Sequence, residues 1–564
     1  MRADIVRIYK SVHTWTGILS GMALFIAFYA GALTVFKDPL ARWASPPQPA
    51  TYMPVPLSEA PQLISKTLAV HPPAGRNFTI HLHDEEHVPA RMGWEVRDAG
   101  GDDHDESSVR RYMATLDAHG TAHVAETQPS AVGAFIDVLH RVVGLPVDND
   151  PNRWVMGVIA SLYALALVSG VIVLLPSLVK DLFALRVGKN LKRMWLDAHN
   201  VVGIVSLPFH IIMALSAAVF AFHDGIYFVQ DKALHDGRWS AGPPQVATAA
   251  AARRDPADML APLELVARVR AFAPGFQPTS LQYGQVSGPR AVVRVWGKDA
   301  AAVSPRARGG FAALDPYSGH LLSTDFMPGQ QNTPNLFISS FFSLHMAAFG
   351  GTAVQWMYFL LGLAGAWLFY SGNLLWIESR RRRAPRKSQG MPTQRLDTRL
   401  MASATTGVCL GCVAGISLTI VGGKWLHGHV SDLSAWHTLL YYGAFFGSIA
   451  WAFLRGGARA SVHLLWLAAA FTLAIPFTSL LAWGIPALGL WTHTSAASLG
   501  VDATALGGAL VLAWMARATA RRVHAGAPDS VWSAAAPTSP TPGETSADLA
   551  GTIMRETTPN AVRR

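Results

Sequence analysis

The sequence contains few charged residues and almost no cysteine. Of its 564 residues, 15% are charged, 51% are hydrophobic and 2 are cysteines. This composition is typical of membrane proteins and disfavours a soluble enzyme. The two cysteines, Cys409 and Cys412, lie within one apolar run. Packing of small residues between membrane helices explains them, and a redox or metal role is the alternative.

Several catalytic motifs are also missing. The sequence shows no glycine-rich phosphate loop, no dinucleotide-binding fingerprint and no nucleophile elbow. The segments expected on the cytoplasmic side are too short to hold a nicotinamide-binding domain. A nicotinamide cofactor bound by this chain is therefore not expected.

Long apolar runs are abundant. About 20 apolar residues in a row cross a bilayer as a helix. We read eight spans, with approximate bounds 14–36, 153–176, 199–222, 353–377, 401–424, 435–454, 461–483 and 499–517. Lys37, Asp38 and Pro39 follow the first run without a small-residue cleavage site, so we interpret it as a retained anchor and not as a signal peptide.

The net charge of +10 lies in clusters between the apolar runs. Basic residues gather before the first span, and again near 180–193, 380–387, 455–459 and 517–522. These clusters fall at every second boundary, and Lys and Arg mark the cytoplasmic side, so both termini are predicted to be cytoplasmic. The charge is thus assigned to membrane topology and the lipid bilayer. A basic surface for nucleic acid is the competing interpretation, and no nucleic-acid partner is predicted.

These patterns predict an all-α polytopic membrane protein with two α+β insertions outside the cytoplasm. The first half is predicted to contain a first membrane helix (1–36), an insertion (37–139), an interfacial helix with the second membrane helix (140–176), a basic loop (177–196) and a third membrane helix (197–222). The second half is predicted to contain a second insertion (223–335), an interfacial segment with the fourth membrane helix (336–379), a basic linker (380–400), four more membrane helices (401–523) and a disordered cytoplasmic tail (524–564).

The two insertions contain similar phrases. The alternating runs ARMGWEVRD and RAVVRVW predict strands. The phrases MATLDAHGTAHV (113–124) and FAALDPYSGHLL (311–322) each predict a strand, an Asp-initiated turn with glycine, and a second strand. The two insertions are therefore predicted to be repeats.

Four histidines near the predicted membrane boundaries share a local pattern. In each case a glycine follows four or five residues later; the pairs are His13 with Gly17, His140 with Gly144, His199 with Gly203, and His345 with Gly350. Residues four apart lie one above the other on a helix. Glycine there leaves room for a flat macrocycle held by an axial imidazole. Close packing of two helices against the glycine is the alternative.

Depth in the membrane predicts how these histidines pair. His13 and His199 begin helices on the cytoplasmic side, whereas His140 and His345 precede helices on the outer side. Two bis-histidine haems of b type would use all four. Arg7 and Arg193 are candidates for the inner haem propionates and Arg141 for the outer ones, with plain interfacial charge as the alternative.

Other histidines are secondary candidates for haem or metal binding. His210 shares a helix face with His199 but has no glycine four residues later, and Pro208 disturbs its helix, so a packing or substrate-side role is favoured. The remaining secondary candidates, for metal or chelate contacts, are His223, His81, His83, His427, His429 and His437.

Four phrases together resemble the PepSY-associated transmembrane family: SVHTWTGI, VLHRVVGLPVD, WLDAHNVVGIVSLPF and SLHMAAFGG followed by GLAGAWLFYSGNLLW. The resemblance covers about residues 1–380, in order. It implies a bacterial inner-membrane protein with PepSY-like periplasmic domains at 37–139 and 223–335. It also implies haem ligands at the same four histidines. The four C-terminal spans extend beyond the shared region.

The function predicted from these features is di-haem electron transfer. A cytoplasmic or quinol donor would reduce the inner haem, and the outer haem would reduce a periplasmic ferric siderophore or other iron chelate and release Fe(II). Two alternatives stay open. One is a permease for an iron chelate or nutrient, which predicts broken helices. The other is a PepSY-type binding or regulatory membrane protein without redox activity.

Overall fold

Helices dominate the architecture, as the apolar runs predict. The structure is a computed structural model that describes residues 2–47, 55–83, 90–97, 109–127, 129–146, 150–178, 191–234, 254–306, 309–382 and 393–534. The helices described here are α1 (Ala3–Thr34), α2 (Lys37–Ala44), α3 (Ala60–Val70), α4 (Val132–Arg141), α5 (Asp150–Leu174), α6 (Leu191–Val205), α7 (Leu207–Leu234), α8 (Pro262–Phe272), α9 (Thr333–His345), α10 (Gly351–Ser379), α11 (Leu396–Trp425), α12 (Leu433–Arg455), α13 (Gly457–Gly484) and α14 (Ala496–Ala525).

Seven of these helices are long and apolar enough to cross a membrane, which makes the chain a multi-pass membrane protein with the lipid bilayer as a partner. The seven are α1, α5, α7, α10, α11, α13 and α14. Helix α12 corresponds to the eighth predicted span. It is 23 residues long but does not meet the same criterion of length and apolarity, so the predicted count of eight is not established.

The third predicted span is interrupted near its start. Helix α6 ends at Val205, and α7 begins at Leu207 after a single turn residue, Ser206. Pro208 lacks an amide hydrogen and its ring crowds the preceding turn, which accounts for the interruption. The amide of His210 still donates to the carbonyl of Ser206, at 3.0 Å, so the break is local. Helix α7 continues to Leu234, beyond the predicted end at 222.

The two insertions build one eight-stranded sheet. The strands are β1 (Asn77–His81), β2 (Met92–Arg97), β3 (Val109–Leu116), β4 (Ala122–Thr127), β5 (Gln277–Gly284), β6 (Val292–Lys298), β7 (Gly310–Leu314) and β8 (Leu321–Phe326). Their spatial order is β4-β3-β2-β1-β5-β6-β7-β8, with antiparallel pairing at each junction. Strands β1 and β5 join the halves, with Asn77 opposite Gly284 and His81 opposite Ser280.

Each half of the sheet has the same plan, so the structure agrees with the predicted repeat. A helix, α3 or α8, precedes a four-stranded meander in which the Asp-initiated turn joins the third and fourth strands. Asp117 accepts hydrogen bonds from the amides of His119 and Thr121. Asp315 accepts the equivalent bonds from the amides of Tyr317 and Ser318. These side-chain bonds fix each turn locally, which is why the sequence pattern finds it.

Helices α11–α14 form a C-terminal unit built on small residues. The glycines Gly407, Gly411 and Gly415 recur every fourth residue of α11, and a Cβ at each would lie within about 3 Å of α12 atoms. The free cysteines Cys409 and Cys412 are fully buried in the same helix. Small residues at this spacing allow two helices to approach closely. Packing therefore accounts for the CLGC motif.

The predicted disordered tail begins too early. Helix α14 continues to Ala525, and the amide of Ala534 donates to the carbonyl of Val523. Asp529 forms an ion pair with Arg381 at the end of α10. Contacts of this kind order residues 526–534, whereas 535–564 lie outside the described residues, as do 179–190 of the predicted loop and 383–392 of the linker.

Candidate functional site: two histidine pairs in the helix bundle

Two short helices each carry a histidine in their last turn. His140 lies in the last turn of α4, and His345 is the last residue of α9. The backbone leaves each helix through left-handed residues: Val143 and Gly144 after α4, and Ala347 after α9. A left-handed residue terminates a helix abruptly. The two histidines therefore project from helix ends, next to the longer helices α1 and α7.

The structure brings the four histidines together as two pairs. The ring centres of His13 and His199 are 6.5 Å apart, and those of His140 and His345 are 6.1 Å apart. We call these the His13–His199 pair and the His140–His345 pair. Along α1 they are separated by about 21 Å, the distance from His13 to Ala27 at about 1.5 Å per residue, since His140 contacts the Ala27 carbonyl.

Every ring in the two pairs uses Nδ1 to hold a neighbouring helix. His13 Nδ1 contacts the Ala166 carbonyl oxygen at 2.8 Å, and His140 Nδ1 contacts the Ala27 carbonyl oxygen at 2.7 Å. A carbonyl oxygen only accepts, so Nδ1 carries the proton in both rings. Their Nε2 atoms therefore keep the lone pair that can bind a metal.

The other two rings reach the same state through serine. Ser371 Oγ lies 2.9 Å from His199 Nδ1, and Ser216 Oγ lies 2.6 Å from His345 Nδ1. Each hydroxyl already donates to a carbonyl of its own helix, that of Leu368 or Ile212. Each serine oxygen therefore accepts from Nδ1–H, and Nε2 again carries the lone pair.

Burial keeps the His345 ring neutral. Burial, with a smaller contribution from the neighbouring His140, lowers the pKa of His345 to about 3. A buried neutral imidazole with a fixed tautomer is the form that binds metals.

Glycines on neighbouring helices allow the rings to approach. A Cβ at Gly31 would lie 2.7 Å from His140 Nδ1, and one at Gly170 would lie 3.0 Å from the His13 ring. Neither glycine was predicted from the sequence. Only the three-dimensional structure identifies them, because each lies on a different helix from the histidine that it contacts.

The glycines that were predicted divide into two groups. Apart from the backbone of its own helix turn and its chain neighbours, no described atom lies within 4 Å of a Cβ built at Gly17, and only a Leu368 methyl, at 3.9 Å, approaches one at Gly203. Both lie on the helix of their histidine, as the argument for a flat ligand requires. Gly144 and Gly350 follow the ends of α4 and α9 and have φ of +79° and +65°. The helical argument is wrong for these two, because their role is to turn the chain.

His210 belongs to neither pair. It is 1% exposed, and its Nδ1 hydrogen-bonds the hydroxyl of Tyr163, whereas its Nε2 has no hydrogen-bond partner among the described residues. Aromatic rings surround it: those of Phe28, Tyr163, Phe209 and Phe369. It lies about 9 Å along α7 from Ser216, at about 1.5 Å per residue, and therefore between the two pairs.

The three arginines predicted to bind haem propionates either form ion pairs with carboxylates or are exposed. Arg193 forms an ion pair with the buried Asp197 at 3.1 Å, and Arg141 forms one with Asp137 at 3.2 Å. Arg7 is exposed on the first turns of α1. All three lie near the expected ends of the bundle, and their predicted contact with propionates stays a prediction.

The other secondary candidates are scattered. His223 pairs with Asp224, His427 packs on Trp491, His437 packs on Phe135, and His81 and His83 lie at the end of β1. Asp84 to His87 of the HLHDEEH motif lie outside the described residues. Within the described ranges, no group of three or more His, Cys, Asp or Glu side chains is arranged to hold a metal ion. A site with two protein ligands, as in a bis-histidine haem, does not need one.

Comparison with known families identifies the family to which the chain belongs. The family described as the PepSY-associated TM region matches residues 10–379, about two thirds of the chain, and the chain belongs to that family. The match includes both histidine pairs and the whole sheet, and it ends before the C-terminal unit. No curated protein matches the sequence.

Proposed function

We propose that this member of the PepSY-associated TM family is a membrane electron-transfer protein. It binds two b-type haems, one at each histidine pair, and reduces a ferric chelate such as a siderophore on the outer side of a bacterial inner membrane. Electrons enter from a cytoplasmic or quinol donor at the His13–His199 pair. The released product is Fe(II), which hard oxygen ligands hold less tightly than Fe(III).

The spacing of the paired rings is the observation that carries this proposal. Two imidazoles that would hold one shared metal ion through their Nε2 atoms, with metal–nitrogen bonds of about 2.0 Å, would have ring centres about 6.3 Å apart. The measured separations are 6.5 Å and 6.1 Å. Both therefore fit a shared iron, and direct packing of unliganded rings is the weaker explanation for two such pairs with the same tautomer.

The residues around each pair would orient the ligands and tune them. Haem, when bound, supplies one-electron redox chemistry at iron. The Nδ1 hydrogen bonds to Ala166, Ala27, Ser371 and Ser216 prevent the rings from rotating and raise their basicity. The space beside Gly17 and Gly203 suits a flat macrocycle lying against α1 and α6.

The stretch between the pairs is aromatic. Phe28, Tyr163, His210 and Phe369 pack with ring centres 5.1–6.5 Å apart. This cluster lies on α1, α5, α7 and α10, the helices that carry the four Nδ1 partners of the paired rings. It therefore fills the interval that an electron would cross between the two pairs. The tight aromatic packing also keeps the distance between the pairs fixed.

The rival interpretations receive less support. A permease predicts discontinuous helices that expose polar backbone to a substrate. Among the described membrane helices, the break at Ser206 is explained by Pro208, and the amide of His210 still donates to the Ser206 carbonyl. A binding or regulatory protein without redox activity gives no reason for two histidine pairs at metal-bridging distance.

The decisive experiment is a reduced-minus-oxidised absorption spectrum of the purified full-length protein, with haem quantified per chain. The expected result is a low-spin b-type spectrum and two haems per chain. Protein produced with an ample haem supply that contains no haem would refute the proposal. Oxidation of the reduced protein by a ferric hydroxamate or catecholate, followed with an Fe(II) trap, then tests the substrate class.

A further inference from the structure

The C-terminal unit contacts the segment that follows His140. The hydroxyl of Tyr442, on α12, donates to the carbonyl of Leu145 at 2.7 Å and lies 3.2 Å from that of Gly144. These carbonyls belong to the left-handed turn that ends α4, one turn after His140. A residue outside the family match thus binds the backbone beside a predicted ligand.

The same unit also covers the start of α4. The ring of Phe135 packs against Tyr441, with centres 5.7 Å apart, and against His437, at 6.1 Å. Tyr441 and His437 are both buried. Because Phe135 lies on α4, helix α12 holds α4 both at its beginning and at its end.

A third contact reaches α4 through α2. The indole nitrogen of Trp43, on α2, donates to Asp502 on α14 at 2.9 Å, and the ammonium of Lys424 on α11 lies 4.3 Å from the centre of the same ring. Both Trp43 and Lys424 are 1% exposed. Just after α2, the Ser45 hydroxyl accepts from the amide of Ser130, immediately before α4.

The partner histidine is held in a matching way from inside the family region. The hydroxyl of Tyr358, on α10, donates to the carbonyl of Leu344 at 2.7 Å, next to His345. One phenol thus fixes the backbone beside each histidine of the His140–His345 pair. Tyr358 lies within the family match at residues 10–379, whereas Tyr442 lies beyond it, in the C-terminal unit.

We propose that the C-terminal unit positions His140, and that Tyr442 is the positioning residue through which it acts. In this proposal the unit holds α4, which carries His140, and does not act as an independent transport or catalytic domain. The claim that this support matters for iron binding rests on the proposed function. The claim that Tyr442 orders residues 142–146 does not depend on the proposed function.

The test compares three matched variants of the full-length protein, each losing one phenol hydroxyl that donates to a carbonyl. They are Tyr442→Phe, Tyr358→Phe and, as the control in the outer sheet, Tyr317→Phe, whose hydroxyl binds the Val286 carbonyl. Backbone hydrogen exchange is measured by mass spectrometry on haem-free protein. Haem content and the low-spin signals in electron paramagnetic resonance are measured on haem-loaded protein.

Tyr442→Phe is expected to speed exchange about fivefold in peptides covering 132–146, as loss of a typical net hydrogen bond allows. It should also shift or weaken one of two low-spin signals and leave the other unchanged. Tyr358→Phe should act on peptides covering 333–350 and on the same signal, and Tyr317→Phe on neither.

Exchange in 132–146 that is the same in Tyr442→Phe and Tyr317→Phe overturns the inference. A wild-type protein without haem refutes the proposed function, but the exchange comparison still decides whether Tyr442 orders this segment. If Tyr442→Phe speeds exchange and leaves both low-spin signals unchanged, the unit orders the turn without positioning the ligand, and the inference also fails.

Discussion

His13 Nδ1 and the Ala166 carbonyl oxygen are 2.8 Å apart, so the first helix of the chain is tied to α5 through an imidazole. The bond requires the proton on Nδ1 and therefore leaves the lone pair on Nε2. The same logic holds at His140, His199 and His345. Packing alone does not require the same tautomer at four sites, and this agreement supports the proposed function.

Replacing one ligand should remove one haem. We expect His199→Ala to reduce the haem content from two to one per chain, and His345→Ala to remove the other. The losses should be distinguishable by which low-spin signal disappears. The matched control is His463→Ala, since His463 lies outside both pairs and accepts a hydrogen bond from Trp451. Two haems retained in His199→Ala would contradict the assignment.

Loss of the serine acceptors should weaken haem binding without abolishing it. Ser371→Ala removes the acceptor of His199 Nδ1–H, and Ser216→Ala removes that of His345. Loss of such a partner typically costs 10–100-fold in metal affinity, so about a tenfold loss is expected here. Haem titration of each haem-free variant measures this loss of affinity. The midpoint potential of the affected haem should also rise, because the imidazole becomes a weaker electron donor to the iron. Ser340→Ala, on the exposed side of α9, should change neither.

His210 should prove dispensable for haem binding. His210→Phe is expected to keep both haems, because its ring faces aromatic side chains and not another imidazole. Tyr163→Phe should lower the free energy of unfolding by about 1–3 kcal/mol, since it leaves a buried Nδ1 without its partner. The double variant should recover part of that loss. Thermal unfolding of the three variants tests this, and loss of one haem in His210→Phe would make His210 a ligand.

A methyl group beside the His140 ring should be poorly tolerated. Gly31→Ala would place a Cβ 2.7 Å from His140 Nδ1, so the ring must move off the Ala27 carbonyl. We expect the haem at the His140–His345 pair to be lost or high-spin, while the other stays unchanged. Gly507→Ala is the control, since no described atom lies within 4 Å of its Cβ position. Equal spectra for the two variants would show that the close contact does not matter.

The outer sheet should lose stability in acid through Asp315. Partial burial alone raises the pKa of this carboxyl, but hydrogen bonds from Arg254, Ser318 and Tyr317 outweigh it and lower the pKa to about 2. A lowered pKa stabilises the folded state fully above about pH 4, the pKa of an unfolded aspartate, and that stability is lost as the pH falls toward 2.

In Asp315→Asn this pH dependence should be reduced, because the titrating group is gone. Urea unfolding between pH 5 and pH 2.5, followed by the fluorine signal of fluorotryptophan at Trp296, measures the sheet selectively. Asp325→Asn, in the same sheet, is the matched control. An identical pH profile in wild type and Asp315→Asn would contradict the contribution of Asp315.

Sequence alone identified the local features. Apolar length located seven helices long and apolar enough to cross a membrane. The phrases LDAHG and LDPYSG located two turns, because each turn is closed by its own aspartate. The pattern of histidine followed by glycine selected the four histidines that the structure pairs. Helix breaks after α4 and α9 were missed, since Val143 and Ala347 give no sequence signal for their left-handed conformation.

Only the tertiary structure decided the relations between distant segments. It joined the insertions through β1 and β5, where the sequence predicted two separate units, because edge pairing of strands depends on where the helices place them. It also supplied the serine acceptors of His199 and His345, the glycines that face His13 and His140, and the contact of Tyr442 with the turn after His140. Such contacts join residues on different helices, and no periodicity along one helix can reveal them.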